Sequence, residues 1–459
     1  MRTTLPELFQ NAQASVKLSL EEADDITLTT DIWTSRASEA YMSLTCHFID
    51  KNWQIRSYIL DTSHLVGSHT ADVIAKTLTT VIEEWGISRK IQAVVTDNAA
   101  NMVAGTHIAG LKQFPCFAHT LNLVVKDSLR ADQTLAVVLE KCSSIVSYFH
   151  HSAKASDKLI DIQKQQSLPE HKLIISVETR WNSVYYMLQR IEEQNPAITT
   201  ALCILGRHAM CLDEDELAKV KAAITALQPF EEVTREISTE KFVSLSKIIP
   251  LTSLLMKASV AMALQGNSLA DKLLQQSIRR FSNSEKNFSL SASTFLDPRF
   301  KSLTFKNSET TEMTKRKLMR EMQMTKQNEN EGHPDEPLSG NQETSPTISK
   351  GIWASFDNKR EKLQQERSAA SSCIAEMRRY SEELIIARRE NPLEWWQKRG
   401  SNLESLNRLA KKYLGIVATS VPSERLFSKA GEVVSARRSC IKPSNVNMIL
   451  FLNSFMDRE

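Results

Sequence analysis

The chain is poor in the two residues that most often interrupt helices. Its 459 residues include only 12 glycines and 13 prolines, a share too small for a collagen-like or Pro/Gly-rich disordered protein. Because glycine and proline both disfavour helix interiors, their scarcity favours a largely helical chain. The length predicts roughly three domain-sized units.

Long apolar runs and an excess of one charge are missing as well. No stretch approaches the roughly 18 uninterrupted apolar residues of a membrane-spanning helix, and the first residues lack the apolar core of a secretory signal. We therefore expect no membrane partner and a location in the cytosol or nucleus. The net charge of +3 neither requires nor excludes nucleic acid, so DNA binding would depend on a local basic patch.

Seven cysteines are scattered along the chain without a CxxC pair, which argues against a disulfide framework. The closest Cys/His pair is Cys116-x-x-His119, and the next histidines, His150 and His151, lie too far away for an ordinary zinc finger. We expect no structural zinc in this chain. Cys116 and His119 can instead pack, as a buried thiol and a residue at the start of a helix.

The first hundred residues predict a sheet. Strand-forming segments lie at 26–33, 41–50, 53–60 and 91–97, with an amphipathic helix at 69–86 before the last of them. The short turn at 51–52 makes the second and third strands antiparallel. The nearly continuous apolar run IQAVV is typical of a strand that is covered on both faces. The predicted order is therefore β-β-β-α-β, and the first and fourth strands both lead into an aspartate.

Those two aspartates predict a cation site. Asp31 and Asp97 at the ends of neighbouring strands can converge, and Glu424 is the best third carboxylate because Pro422 places it in the first turn of a helix. Three carboxylates suit Mg²⁺ or Mn²⁺, which can hold the oxygens of a phosphodiester displacement. Strand-end aspartates are more often turn formers, however, and an early-helix glutamate is more often a partner of the helix dipole.

The rest of the chain is predicted to be helical, with one break. Residues 326–350 contain no aromatic residue, and their large apolar side chains are Leu338 and Ile348. Such a segment buries too little surface to order itself, so we expect a flexible linker. Helices resume near residue 355.

Six strings in a fixed order identify a family resemblance. They are LTTDIWTS (28–35), VVTDNAANM (94–102), CFAHTLNL (116–123), TRWNS (179–183), FLDPRFKSL (295–303) and ATSVPSERLFSKAG (418–431). With them the chain resembles the hAT superfamily of DNA transposases, most closely the transposase-derived BED-type zinc-finger proteins. The resemblance implies an α/β, mostly α, fold. Its RNase H-like core has a five-stranded mixed sheet that is interrupted by a long all-helical insertion, and a helical hAT dimerisation region follows.

The resemblance also sets the expected domain boundaries. They are a remnant of the N-terminal region (1–24), the first part of the RNase H-like catalytic core (25–185), the helical insertion (186–325), the disordered linker (326–350), a helical segment (351–390), and the dimerisation region with the last RNase H-like helix (391–457).

The same resemblance assigns roles to individual residues. Asp31, Asp97 and Glu424 match the metal-binding acidic triad, and Cys116 and His119 match a C-x-x-H motif of unclear role. Trp181 matches a tryptophan that in active relatives stacks on a flipped base, although Trp181 could equally be a core residue. The expected DNA contacts beside it are Arg180, Arg425, Arg437, Arg438 and Lys442. The expected dimerisation residues are Leu426, Phe427, Leu450, Leu452 and Phe455.

These roles lead to three hypotheses for function. Only about 25 residues precede the first strand, so the BED finger that family members carry there is expected to be missing. The first hypothesis is a domesticated or truncated hAT transposase-like nuclear protein. It would form a homodimer or higher oligomer, associate with DNA or chromatin in transcriptional regulation, and have no enzymatic activity. The second is an active DDE-type transposase that uses Mg²⁺ or Mn²⁺ to cut and join DNA. The third is a dimerisation partner of other hAT or BED-type proteins, without DNA binding of its own.

Limited proteolysis tests the predicted linker. We expect the first cuts within 326–350, because this segment holds three prolines and no aromatic anchor. Mass spectrometry of the earliest fragments locates the cuts. First cleavage elsewhere, with this segment left intact, would contradict the boundary.

Overall fold

A five-stranded mixed sheet forms the centre of the fold, in the order β3-β2-β1-β4-β5. The computed structural model describes residues 4–34, 39–65, 67–238, 243–331, 354–421, 423, 425–426 and 442–456. The strands are β1 (Ile26–Thr34), β2 (Ala40–Ile49), β3 (Ile55–Leu65), β4 (Ile91–Thr96) and β5 (Gln113–Pro115). The predicted order of the first four strands and the five-stranded mixed sheet are both confirmed.

Helices make up most of the remaining described chain. They are α1 (Leu5–Glu21), α2 (Ala71–Glu84), α3 (Ala100–Ile108), α4 (Phe117–Ala131), α5 (Gln133–His151), α6 (Ala153–Gln165), α7 (Trp181–Ile204), α8 (Glu214–Ile237), α9 (Ile248–Leu264), α10 (Ser268–Phe281), α11 (Phe288–Leu296), α12 (Ser308–Glu331), α13 (Ala354–Glu382), α14 (Pro392–Arg399), α15 (Glu404–Leu414) and α16 (Pro443–Met456). The predicted α/β, mostly α, fold class is confirmed.

Strand β1 is the axis of the sheet because it pairs differently on its two sides. It runs antiparallel to β2, with Thr29 opposite Thr45, and parallel to β4, with Thr29 opposite Val95. Strand β4 also runs parallel to β5. The carboxyl ends of β1, β4 and β5 therefore meet at one edge of the sheet.

Both faces of the sheet are covered. Successive side chains of a strand point to opposite faces, so Leu28 and Val94 lie on one face while Ala93 and Val95 lie on the other. The first face packs in a cluster with α1, α2, α3 and α16. The second packs in the larger cluster that continues through the helical region from α4 to α15. Central strands buried on both faces explain the continuous apolar run of β4.

Helix α16 belongs to the core although it comes from the end of the chain. The Asn447 side-chain amide donates to Asp61 Oδ1 at 2.6 Å, and Asn447 Oδ1 accepts the backbone N–H of Thr62 at 3.0 Å. Burial raises the pKa of Asp61. This pair fastens α16 to the edge strand β3, as expected for the last helix of an RNase H-like core.

The string FLDPRFKSL joins α11 to the end of α13. Asp297 is fully buried and accepts hydrogen bonds from Arg299 Nη2 and Ser246 Oγ, both at 2.6 Å. The Lys301 ammonium donates to the backbone carbonyl of Tyr380 at 2.6 Å, near the C-terminal end of α13, where a cation is favoured by the helix dipole. Burial lowers the pKa of Lys301 to about 8. The string therefore fastens the helical insertion to the C-terminal region.

Helix α12 extends to Glu331, so residues 326–331 are helical. The predicted start of the linker at residue 326 is wrong for these six residues. Their sequence is polar enough to resemble a linker, but they continue a helix whose Leu318 and Met322 are buried in the core. Residues 332–350 lie outside the described residues.

The stretch Leu245–Leu264 is long and apolar enough, by composition alone, to cross a membrane. In the fold it packs against α10 and α8, and its Ile249 and Leu255 are buried in the core. A core helix and a membrane helix both carry a long apolar surface, so composition alone does not distinguish them. In this fold the stretch contributes side chains to the core.

Asp25 just before β1 gives the fold a testable dependence on pH. Burial raises its pKa to about 6, although Lys412 on α15 opposes the shift. Because the folded pKa lies above the ordinary value of 3.8, ionisation destabilises the fold progressively as the pH rises from about 4 to 6. Asp25→Asn should therefore gain stability relative to wild type across this window, by at most about 3 kcal/mol.

Chemical denaturation at pH 4, 5, 6 and 7 measures this difference. Asp157→Asn is the matched control, because Asp157 is an exposed aspartate of α6 and does not act on Asp25. A difference between Asp25→Asn and wild type that stays constant over this range would show that Asp25 is not desolvated.

Candidate carboxylate site at the sheet edge

Asp31 and Asp97 occupy equivalent positions on two parallel strands. Thr29 of β1 lies opposite Val95 of β4, and each aspartate follows two residues later. Asp97 directly follows β4 at the edge where the carboxyl ends of the parallel strands meet. Asp31 lies within β1, three residues before its last residue, and pairs with Ser43 of β2. Both aspartates are also half-buried, so the surrounding protein partly shields them from water while leaving them accessible.

Each aspartate also shapes its own backbone. Asp31 Oδ1 accepts the N–H of Ile32 at 2.8 Å, and Asp97 Oδ1 accepts the N–H of Ala99 at 3.2 Å where the chain turns into α3. Turn formation, the alternative role for a strand-end aspartate, is thus real for Asp97. A carboxylate has two oxygens and about four lone-pair positions, so this contact is compatible with cation binding.

Two helices begin at the same edge. Helix α3 starts at Ala100, just after Asp97, and α4 starts at Phe117, just after β5. The side-chain amide of Asn98 donates to Thr120 Oγ1 at 3.2 Å, which ties the loop after Asp97 to the first turn of α4. Helix N-termini carry partial positive charge. The edge therefore favours negatively charged groups, whether carboxylates or phosphates.

The third predicted carboxylate, Glu424, lies outside the described residues. Its neighbour Ser423 is described, and Ser423 Oγ lies 2.9 Å from Thr29 Oγ1, two residues before Asp31. Within the described ranges, no cluster of three His, Cys, Asp or Glu residues is arranged to hold a metal ion. Two carboxylates are hard oxygen donors that fit Mg²⁺ or Mn²⁺, since these ions keep several waters and take substrate phosphate as a further ligand.

Cys116 is a structural residue. Its backbone N–H donates to the Thr96 carbonyl at 2.7 Å. Its Sγ accepts the backbone N–H of His119 and that of Ser420, both at 3.4 Å. The thiol therefore caps α4 and contacts the C-terminal segment, which accounts for a buried cysteine three residues before His119. His119 itself is half-buried in the first turn of α4.

Trp181 does not offer a surface to DNA. It is the first residue of α7 and is only 3% exposed, inside the large core cluster. Its backbone N–H donates to Asn122 Oδ1 of α4 at 3.2 Å. In this structure Trp181 packs in the core, as the alternative reading expects, and stacking on a base stays a prediction. The sequence alone does not show that α4 covers this position.

Three of the predicted DNA contacts are exposed side chains. Arg180 precedes α7, Lys442 precedes α16, and the guanidinium of Arg425 donates to the Ser238 carbonyl at 2.8 Å, just past α8. Arg437 and Arg438 lie outside the described residues. DNA contact by Arg180, Arg425 and Lys442 remains a prediction.

Two of the predicted dimerisation residues are core residues of their own chain. Leu426 is 5% and Leu450 1% exposed, in the cluster that covers the first face of the sheet. Leu452 and Phe455 are half-buried against that cluster, and Phe427 lies outside the described residues. In this structure α16 packs its apolar side chains against α1 and β3 of its own chain. An interface role for Leu426 and Leu450 stays a prediction.

A buried polar row beside the aspartates went unnoticed in the sequence. It consists of Thr29, Thr45 and His47, which contact one another and Ser423. The signal was available, because polar residues recur at every second position in the strings T-x-T-x-D (27–31) and S-x-T-x-H (43–47). Alternation in paired strands places these side chains on the same face as Asp31.

Comparison with known proteins agrees with this architecture. The ZBED1 RNase-like domain matches residues 29–113, and the ZBED1 RNase-like helical domain matches 114–226. The hAT family C-terminal dimerisation region matches 376–456. The helical-domain match starts at residue 114, within β5 and just before α4, whereas the helical insertion was expected to begin at residue 186.

Individual relatives come from animals, plants and fungi. Human zinc finger BED domain-containing protein 4 is 28% identical over 98% of this chain and 39% of its own length. The putative AC transposase of Zea mays is 25% identical over 90% of this chain and 54% of its own length. The putative transcriptional regulator tpeD of Talaromyces stipitatus is 26% identical over 55% of this chain and 34% of its own length.

The chain thus spans from about a third to just over half the length of these curated relatives. The three family matches follow one another in the order that the six strings predicted, and they fall on the sheet, on the helices after it and on the C-terminal helices. With this fold and these matches, the chain belongs to the hAT transposase-derived family that includes the BED-type zinc-finger proteins.

Proposed function

We propose that this protein acts in the nucleus as a homodimeric, DNA-associated regulator of transcription that derives from a hAT transposase. The match to the dimerisation region supports self-association. The relatives include BED-type zinc-finger proteins and a protein named as a putative transcriptional regulator. Together they support a chromatin-associated role for the fold.

The burial of Trp181 carries this proposal. The matching tryptophan stacks on a flipped base in active relatives, and stacking needs an open aromatic face. An indole that is 3% exposed has no such face. This chain keeps the fold and the dimerisation region, but Trp181 is buried in the core. Such a chain is better suited to binding DNA than to cutting it.

DNA binding should follow from charge rather than from base readout. The exposed Arg180 and Lys442 suit contacts with phosphates, and the helix N-termini of α3 and α4 favour anions. Binding of this kind weakens steeply with salt, because each neutralised phosphate releases counterions.

Fluorescence anisotropy with a duplex DNA probe tests the leading proposal. We expect binding at low salt that weakens as salt rises, and a further loss in the Arg180→Gln/Lys442→Gln variant. Lys219→Gln/Lys257→Gln is the control, since it makes the same change in charge at two exposed lysines of α8 and α9. Light scattering should give twice the 51.8 kDa of one chain. A dimer that binds no DNA would favour the hypothesis of a dimerisation partner.

The placement of Asp31 and Asp97 favours a second candidate, metal-dependent DNA cutting and joining. Two carboxylates that each follow a paired position of two parallel strands by two residues can hold Mg²⁺ or Mn²⁺ and orient it toward a phosphate. When bound, such an ion stabilises charge on the attacking and leaving oxygens. The N-termini of α3 and α4 would help to attract the DNA backbone.

Thermal unfolding with Mn²⁺ tests this second candidate. Neighbouring carboxylates repel, so a bound cation should stabilise the fold, by about 2.7 kcal/mol at 100 times Kd. Asp97→Asn should abolish the Mn²⁺-dependent rise in Tm and slightly raise the Tm without metal. The control is Asp72→Asn, which removes the charge of an exposed aspartate on α2. It should keep the wild-type response to Mn²⁺.

A nicking assay on candidate transposon ends, with Asp31→Asn as the inactive control, separates cation binding from chemistry. Metal-dependent nicking that disappears in Asp31→Asn would establish the second candidate. A Mn²⁺ effect without nicking would leave a cation site in a binding protein, and no Mn²⁺ effect would exclude the candidate.

A further inference from the structure

Four polar side chains form a continuous row inside the protein. Thr29 and Ser423 are 0% exposed, His47 is 2% and Thr45 is 3% exposed. Thr29 Oγ1 lies 2.5 Å from Thr45 Oγ1 and 2.9 Å from Ser423 Oγ, and Thr45 Oγ1 lies 3.0 Å from His47 Nε2. Burying polar groups is unfavourable unless they bond to one another, so their mutual contacts are what allows the row to be buried.

The protons of the row can be assigned consistently. A hydroxyl donates once and accepts up to twice, and His47 Nε2 either donates or accepts. Donation can run from His47 through Thr45 and Thr29 to Ser423, or in the opposite direction. Either way all three bonds form with one donor each. Thr29 takes part in two of these three bonds in both directions, and its Oγ1 also lies 3.4 Å from His47 Nε2. Loss of its hydroxyl therefore breaks two of the three bonds, including the one to Ser423.

The row joins the two ends of the sequence next to the carboxylate site. Ser423 lies 394 positions from Thr29 in the chain, and Thr29 comes two residues before Asp31 on the same face of β1. Nearby contacts hold the preceding residues by backbone groups: Phe117 N–H donates to the Ala418 carbonyl at 2.9 Å, and Ala418 N–H donates to Ser244 Oγ at 3.0 Å. Ser423 adds a side-chain bond directly to β1.

Hydrogen bonds between buried hydroxyls restrict the relative position of two segments more tightly than apolar packing does. Apolar contacts tolerate small shifts, whereas a bond between two buried hydroxyls fixes both distance and direction. The neighbouring Thr30 provides the contrast. It is also 0% exposed, but it points to the other face of the sheet, and its hydroxyl finds no hydrogen-bond partner in the described part of the chain.

We infer that Thr29, Thr45 and His47 are positioning residues that latch Ser423, and with it the C-terminal segment, onto β1 beside Asp31. They act through Ser423 and contact no reacting group themselves. Thr29 comes two residues before Asp31 on β1, so the latch would also help to hold the strand that carries this carboxylate. This consequence rests on the proposed carboxylate site, whereas the latch itself does not.

Hydrogen exchange of the metal-free protein, read by mass spectrometry, tests the latch. In Thr29→Val we expect peptides that cover Ile416–Leu426 to exchange about tenfold faster than in wild type, because two bonds are lost while the shape is kept. Thr29→Ser restores the hydroxyl and should restore slow exchange. Thr30→Val, the same change on the other face of β1, should leave these peptides unchanged.

Ser423→Ala removes the other partner of the Thr29–Ser423 bond. It provides the test if Thr29→Val does not fold. It should accelerate exchange in the same peptides, and the double variant should exceed the faster single variant only slightly, because both remove one shared bond. Unchanged exchange in both single variants, or equal acceleration in Thr30→Val, would overturn the latch.

A Mn²⁺ titration of Tm in the same variants tests the positioning role. If wild type responds to Mn²⁺, Thr29→Val should shift the midpoint to about tenfold higher Mn²⁺ and Thr29→Ser should restore it. An unshifted midpoint would overturn the positioning role. If wild type does not respond at all, the carboxylate site fails and the positioning role fails with it, while hydrogen exchange still decides whether the latch exists.

Discussion

The parallel pairing of β1 with β4 is the constraint on which the rest of the structure depends. Antiparallel pairing would place Asp31 and Asp97 at opposite ends of the sheet, whereas the observed parallel register pairs Thr29 with Val95, each two residues before its aspartate. Parallel strands need a crossover connection, and β2, β3 and α2 supply it within the first hundred residues. The same direction of β5 brings the start of α4 to this edge. Local chemistry at the edge thus follows from strand direction.

The sheet also explains why the C-terminal residues cannot all serve a dimer. The first face of the sheet needs a cover, and α1, α2 and α3 share it with α16. Leu450 and Phe451 therefore complete the core of their own chain, and the Asn447–Asp61 pair fixes α16 to β3. The match to the dimerisation region covers this same stretch of sequence, so folding and self-association both draw on it.

Periodicity predicted what depends on neighbours along the chain, but it did not predict burial that depends on distant partners. The strands, the turns between them, Asp31 within β1 and Asp97 after β4 all carry local signals, and the six strings supplied the helical insertion. The burial of Trp181 depends on α4, about sixty residues earlier, and that of Leu450 on α1. The helical end of α12 was missed because six polar residues after a buried turn resemble a linker. The row at Thr29 was readable but looked like ordinary strand alternation.

A site assembled from both ends of a long chain needs a reason to be stable, and loop physics provides one. The entropy cost of closing a loop grows only with the logarithm of its length, so a long insertion costs little more than a short one. Here the insertion is itself folded, and its helices share one core with the second face of the sheet. Its two ends are joined where Phe117 bonds to Ala418. The chain therefore returns to β1 from a fixed direction, and the hydrogen bond between Ser423 and Thr29 adds a directional contact to the strand.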